Sequence, residues 1–261
     1  MKRALNIIKI ESEKLNQSSL CQWFRSAENE GKDDYLKFIP AMTFFVLGFK
    51  DILREMQYEN PTTEVELEIN THCIEDIHHW EWFLSDLERL GFSHKSWGER
   101  EADVFKQLWS DRSYVVRDLV YSTIAHVKHG GNAMVALAVI EYLEAAFGVF
   151  INCFKPIVKR SGVYDELQYF GRLHVEEEET HTRGAWIEGR RTDTSGSITT
   201  IQLKENELET ISRVVKEISE KLFMVFQFWF EEKDVYTRTA GFDILNQASD
   251  SYRHTKVVSH S

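Results

Sequence analysis

The stretch "GRLHVEEEETHTRGAW", residues 171–186, carries two histidines around a run of four glutamates. With about 100° of turn per helical residue, Glu178 falls about +40° and His181 about -20° from His174. The three side chains then share one narrow strip. Two imidazoles and a carboxylate on one face suit a divalent transition metal such as iron, manganese or zinc. The competing reading is a solvated acidic face with two incidental histidines, the usual state of a glutamate run.

A second strip lies in "THCIEDIHHW", residues 71–80. Taking His72 as origin, Glu75, Asp76 and His79 fall at about -60°, +40° and -20°, a face about 100° wide. His78 points elsewhere. Ile74, Ile77 and Trp82 give the helix an apolar side, so a merely amphipathic helix with a histidine-rich polar face competes here. The third element is "AMVALAVIEYLEAAFGVFINCF", residues 133–154, where Glu141 and Glu144 stand one turn apart in an otherwise apolar run. Buried carboxylates are costly unless paired or metal-bound. No lysine or arginine lies between Ala133 and Phe154. A partner must therefore come from another helix, either a metal or an arginine such as Arg117 or Arg172. Helices that turn carboxylates and histidines inward build di-metal sites. Glu141 could bridge two ions, the two histidine strips could fill further positions, and open positions would remain for O2 or substrate.

Such a site needs long helices, and the chain predicts them. Its 261 residues include only 3 prolines and 13 glycines, while hydrophobic residues make up 43% and aromatic residues 13%. Few breaks and a helical hydrophobic period point to an all-α, single-domain bundle of seven or eight helices over residues 1–261. Expected helices cover about residues 3–28, 35–57, 62–91, 98–110, 113–128, 133–159, 164–185 and 204–232. Thr62 or Thr63 caps the third, and Gly91 stops it. Residues 188–203 read as a mobile loop and 249–261 as a flexible tail. The segment 133–154 is long enough for a membrane span, but Glu141 and Glu144 argue for a buried bundle helix.

The formal net charge of -11 and the lack of a basic stripe argue against nucleic acid or an anionic membrane surface as partner. Cys21, Cys73 and Cys153 form no CxxC pair. That argues against a disulfide framework and for a reducing, cytoplasmic setting. The first residues, "MKRALNIIKIESEKLN", are broken by charge too early for a secretory signal.

On these motifs the chain resembles the heme-oxygenase-like di-iron oxidases and oxygenases, whose domain is a seven-helix bundle. "HVEEEETH" matches their His-x3-Asp/Glu-x2-His motif at His174, Glu178 and His181. Glu141 stands thirty-three residues before His174, near where the family places a bridging glutamate. The first ligand helix departs from the pattern, with His72 where a glutamate is common. Glu75 is the alternative carboxylate there, and His79 the later histidine. Asp76 and Glu144 are supporting or alternative ligands.

The resemblance implies two Fe(II) ions, O2 as co-substrate, and a small-molecule substrate in natural-product biosynthesis. That substrate would be an amino acid or amine, or alternatively a fatty acid. The outcomes it implies are N-oxygenation, oxidative C–C cleavage or nitrile formation. Members of the group are often homodimers. Phe44, Phe45, Phe49, Phe147, Phe226 and Phe230 are expected to line the substrate pocket or simply the core. Arg172 and Arg183 are expected to meet a substrate carboxylate or surface acids. Competing readings are a metal-free thiaminase-II-like enzyme, with Cys73 beside the ligand strip, and a helical binding protein. A heme-degrading oxygenase would need an axial histidine near the N-terminus, and residues 1–71 contain none.

Overall fold

The computed structural model describes residues 1–26, 33–130, 132–175 and 201–238. Among these there are nine α-helices and no strand: α1 (Lys2–Glu13), α2 (Ser19–Ser26), α3 (Thr43–Met56), α4 (Glu64–Asp76), α5 (His79–Arg89), α6 (Glu101–Leu108), α7 (Tyr114–His129), α8 (Ala133–Arg160) and α9 (Glu205–Glu231). The all-α class and the long α8 and α9 stand as the hydrophobic period indicates. Among the described residues one hydrophobic core draws on every helix except the short α6.

Helix α8 is the axis of the bundle. It packs against α1, α2, α4, α7 and α9. Its most apolar 18-residue window is 83% buried inside the protein, the state of a core helix. Asn132 starts it, accepting the Met134 N–H at 2.8 Å. Next to it Phe24 packs against Phe38, Phe150 and Phe154, with ring centroids 5.0–6.0 Å apart.

Several expected boundaries move. The helix expected over 3–28 is two helices, separated by a 3-10 turn at Lys14–Gln17. Ser18 stops that turn, its hydroxyl bonding Leu15 O and receiving the Cys21 N–H. The helix expected over 35–57 becomes regular only at Thr43, because Pro40 holds the preceding residues in a 3-10 turn. The helix expected over 62–91 is broken at residues 77–78 into α4 and α5. Thr63 caps α4 in a reciprocal box with Glu66, and Gly91, at φ 80°, follows α5. The helix expected from 164 starts only at 172, since residues 161–171 form successive turns. Gly162 (φ 78°) turns the chain there. At Gly171 a Cβ would sit 1.8 Å from Leu167 O, so only glycine fits. Residues 176–200 and 239–261 lie outside the described residues. With them lie most of the expected 188–203 loop and all of the 249–261 tail.

The Thr63 cap anchors the helix that carries His72 and Asp76. Thr63→Ala is expected to cost about 1 kcal/mol. Urea denaturation of the two proteins checks this; an unchanged midpoint would show that the box contributes nothing.

Candidate metal centre

Six of the predicted ligand and supporting residues are buried: His72, Asp76, His79, Glu141, Glu144 and His174, each 2–5% exposed. They come from four elements. Helix α4 ends with His72 and Asp76, α5 starts with His79, α8 supplies Glu141 and Glu144, and the helical turn at 172–175 supplies His174. The break at 77–78 does not remove His79 from the group. Its ring stands 4.3 Å from that of His174, centroid to centroid. His79 Nδ1 is 3.9 Å from Asp76 Oδ1.

The tightest donors are His72, Asp76 and Glu144, whose ligand atoms all lie within 4.8 Å of one another. His72 Nε2 lies 2.8 Å from Asp76 Oδ2 and 3.3 Å from Glu144 Oε1. Ligands about 2.1 Å from an octahedral ion are about 3 Å apart along an edge, so these spacings match a coordination shell. One imidazole and two carboxylates form a donor set of the kind that takes divalent iron, manganese or zinc. The group fits a metal ion on its chemistry as well as its spacing.

One expected ligand differs. Glu75 is exposed, because residue 75 sits on the outer side of α4 beside the exposed Ile74. The neighbouring carboxylate, Asp76, is the buried one, and it stands on the His72 side. Glu178 and His181 lie outside the described residues, so the motif that carried the resemblance is represented here by His174 alone. Of the two arginines weighed as partners for the buried glutamates, Arg117 is committed elsewhere. Its guanidinium donates to Leu108 O, Ser110 O and Ser113 Oγ at the α6–α7 junction. Arg172 is exposed and lies 3.4 Å from Asp165, one of the surface acids expected as its alternative partner. Arg183 lies outside the described residues.

The histidines are held by aromatic rings and one carbonyl. Trp82 stacks on His79 at 4.6 Å, while Phe147 and Tyr169 flank His174 at 5.0 and 4.8 Å. His174 Nδ1 lies 2.7 Å from Tyr169 O. A carbonyl only accepts, so Nδ1 carries the proton and the Nε2 lone pair of the neutral ring is left for a metal. The Tyr169 turn is itself anchored by Asp86. That buried carboxylate accepts the N–H groups of Gln168 at 2.7 Å and Phe170 at 2.9 Å. Burial pushes Asp86 up to about 6, against the pull of these N–H donors.

Asp86 was missed in the sequence, although its place seven residues after His79 puts it on the same helical face. Glu68 was missed as well. It is buried one turn before His72 on the same side of α4.

Four of the six, Asp76, His79, Glu144 and His174, line a cavity together with Phe45, Phe49, Lys50, Trp80, Phe147 and Tyr169. It offers about 50 Å³ to the centres of water molecules, room for a few ions or waters. A second, apolar cavity of about 40 Å³ shares Phe45, Leu143, Phe147 and Tyr169 with the first and continues to Phe226 and Trp229. The expected pocket residues Phe45, Phe49, Phe147 and Phe226 thus line cavities. Phe44 does not: it packs outward against Trp109 and Tyr121. Phe230 packs on Trp23 instead.

Without metal, His72 is held by its two carboxylates. Burial lowers its pKa, but Asp76 and Glu144 outweigh burial and raise it well above the ordinary value. The folded pKa thus exceeds the unfolded value of about 6.5. The stabilisation is complete below about pH 6.5 and is lost as pH rises through the folded pKa. Metal-free protein is therefore expected to lose urea resistance on the alkaline side, and His72→Gln to flatten that loss; equal slopes in the two proteins would contradict the pairing. Separately, Asp86→Asn is expected to cost about 1–3 kcal/mol in urea denaturation, against about 0.5 kcal/mol or less for Glu75→Gln on the exposed face.

No model of a known protein family matches the chain, and no curated protein matches it in sequence.

Proposed function

We propose that the chain is a non-heme di-iron protein that uses O2 to oxidise a small organic molecule. The substrate would be an amino acid or amine, or alternatively a fatty acid. One observation carries the reading: Asp76, His79, Glu144 and His174, buried side chains of metal-ligating type from four separate elements, line one cavity, and His72 stands against two of them. Surface clusters of acids are common, but three histidines and two carboxylates buried together are expensive to keep without an ion.

His72, Asp76 and Glu144 would hold one ion. His79, Glu141 and His174 would hold the second, with Glu178 and His181 as further ligands. Two Fe(II) ions there would supply electrons to O2 and so an oxidant strong enough for an unactivated C–H bond or an amine nitrogen. The chain's own residues do the rest. Tyr169 O fixes the His174 tautomer, and Trp82 and Phe147 limit how far the imidazoles turn. The phenylalanine walls keep bulk water from the reacting atoms. His72 gives up the proton it shares with Asp76 and Glu144 when a cation takes its place, so metal uptake releases protons and strengthens as pH rises.

A metal-free enzyme with a cysteine nucleophile finds less support. Cys73 is fully buried, and burial pushes its thiol up to about 12, far from a reactive thiolate.

The test is anaerobic Fe(II) titration of metal-free protein, followed by rapid mixing with O2 and visible spectroscopy. About two irons per chain are expected, on the pattern of carboxylate-bridged helical sites. Asp76→Asn and His174→Ala are each expected to lose about one iron while circular dichroism keeps its helical signal. A wild-type chain that binds no iron would overturn the reading. Iron bound equally by both variants would overturn the ligand assignment.

A further inference from the structure

Lys50 is the one cationic side chain among the described residues that line the metal-side cavity. It stands on α3, half-buried, with its ammonium 4.6 Å from the centre of the Trp80 ring. That contact is its only one among the described residues: it makes no ion pair and no hydrogen bond with them. Lysines in such positions ordinarily carry the charge out to water or to a carboxylate. Here the ammonium is held over an indole at a cavity wall.

Trp80 adds a second donor. Its indole Nε1–H is buried and has no hydrogen-bond partner among the described residues. Indole nitrogen only donates. Two donors, one of them charged, thus belong to one wall of the cavity. The apolar cavity that reaches Phe226 and Trp229 lies next to it, the two sharing Phe45 and Phe147 in their walls. A charged receptor at one end and an aromatic-lined passage at the other select a particular shape of ligand: an anionic head with an apolar body.

We propose that Lys50 and Trp80 form the head-group receptor of this cavity and take the carboxylate of a substrate whose apolar or aromatic body runs toward Phe226. The proposal rests on the cavity being the substrate site of the function above. It narrows the substrate to apolar carboxylates and sets simple amines aside, because an ammonium head would meet Lys50. Asp76 and Glu144 line the same cavity and oppose an anion, so cations bound at the metal centre favour the ligand further.

Octanoate, octanamide and octylamine are the probes. Their binding to the full chain is measured by calorimetry under anaerobic conditions, with and without Fe(II), for wild type, Lys50→Met, Lys50→Arg and Trp80→Phe. Octanoate is expected to bind wild type about tenfold to a hundredfold more tightly than octanamide, the size of a hydrogen bond to a charged group. Lys50→Met is expected to erase that preference while leaving octanamide binding as it was, and Lys50→Arg to restore it. Trp80→Phe, which keeps the ring and removes the donor, is expected to weaken octanoate a few-fold. Octanoate held equally by wild type and Lys50→Met, or octylamine held best, would overturn the receptor.

The two readings fail separately. Fe(II) binding with octanoate indifferent to Lys50 removes the receptor alone. No Fe(II) binding, with the octanoate preference still lost in Lys50→Met, removes the metal reading alone. If Lys50 instead serves as a counter-charge to Asp76 and Glu144, Lys50→Met will shift Fe(II) affinity without changing the octanoate-to-octanamide ratio, which also overturns the receptor.

Discussion

Everything in this bundle has to accommodate six ionisable side chains set in an apolar interior. Charge taken out of water must be paired, neutralised or bound to an ion. Helix α8 shows the constraint most sharply. It is the most buried helix and the axis on which five others pack, yet Glu141 and Glu144 stand in its middle. The protein meets part of the cost locally, by bringing His72 of α4 to within 3.3 Å of Glu144 and 2.8 Å of Asp76.

Convergence alone would leave the imidazoles free to turn, and the surrounding structure prevents this. Asp86 draws the backbone at 168–170 inward, the Tyr169 carbonyl then receives the His174 Nδ1–H, and rings of Trp82, Phe147 and Tyr169 close around His79 and His174. Each step is ordinary hydrogen bonding or ring packing. Together they hold the His79 and His174 rings in place, as the proposed metal site would require. The turn at 161–171 is therefore more than a connector. Its glycines, Gly162 and Gly171, allow a path that no helix through those residues could follow.

The two neighbouring cavities differ in chemistry. The one beside the donors is lined by acids, histidines, Lys50 and Trp80; the other is lined by Met42, Phe150, Phe226 and Trp229. Polar groups beside apolar walls are the common lining of small-molecule sites. Helix α3, which supplies Phe45, Phe49 and Lys50, packs against α4 and α5.

The sequence by itself determined the helical class, the central place of 133–160, and the types of residue in the buried cluster. Periodicity marks which face a side chain occupies, and an acid within an apolar run announces that it needs a partner. It also determined that His72 and His79 belong together, even though the helix joining them breaks at 77–78. Only the tertiary structure decided between Glu75 and Asp76, since both stand on a polar strip and packing against α8 buries just one of them. Phe44 and Phe45 are neighbours of the same type, and only the position of α7 turns the first outward to Trp109 and Tyr121 and leaves the second in the cavity. The same holds for Lys50 and Asp86, which the sequence pattern does not single out. Their contacts are with residues 30 and 82 positions away, Trp80 and Gln168, and local sequence carries no record of contacts at that separation.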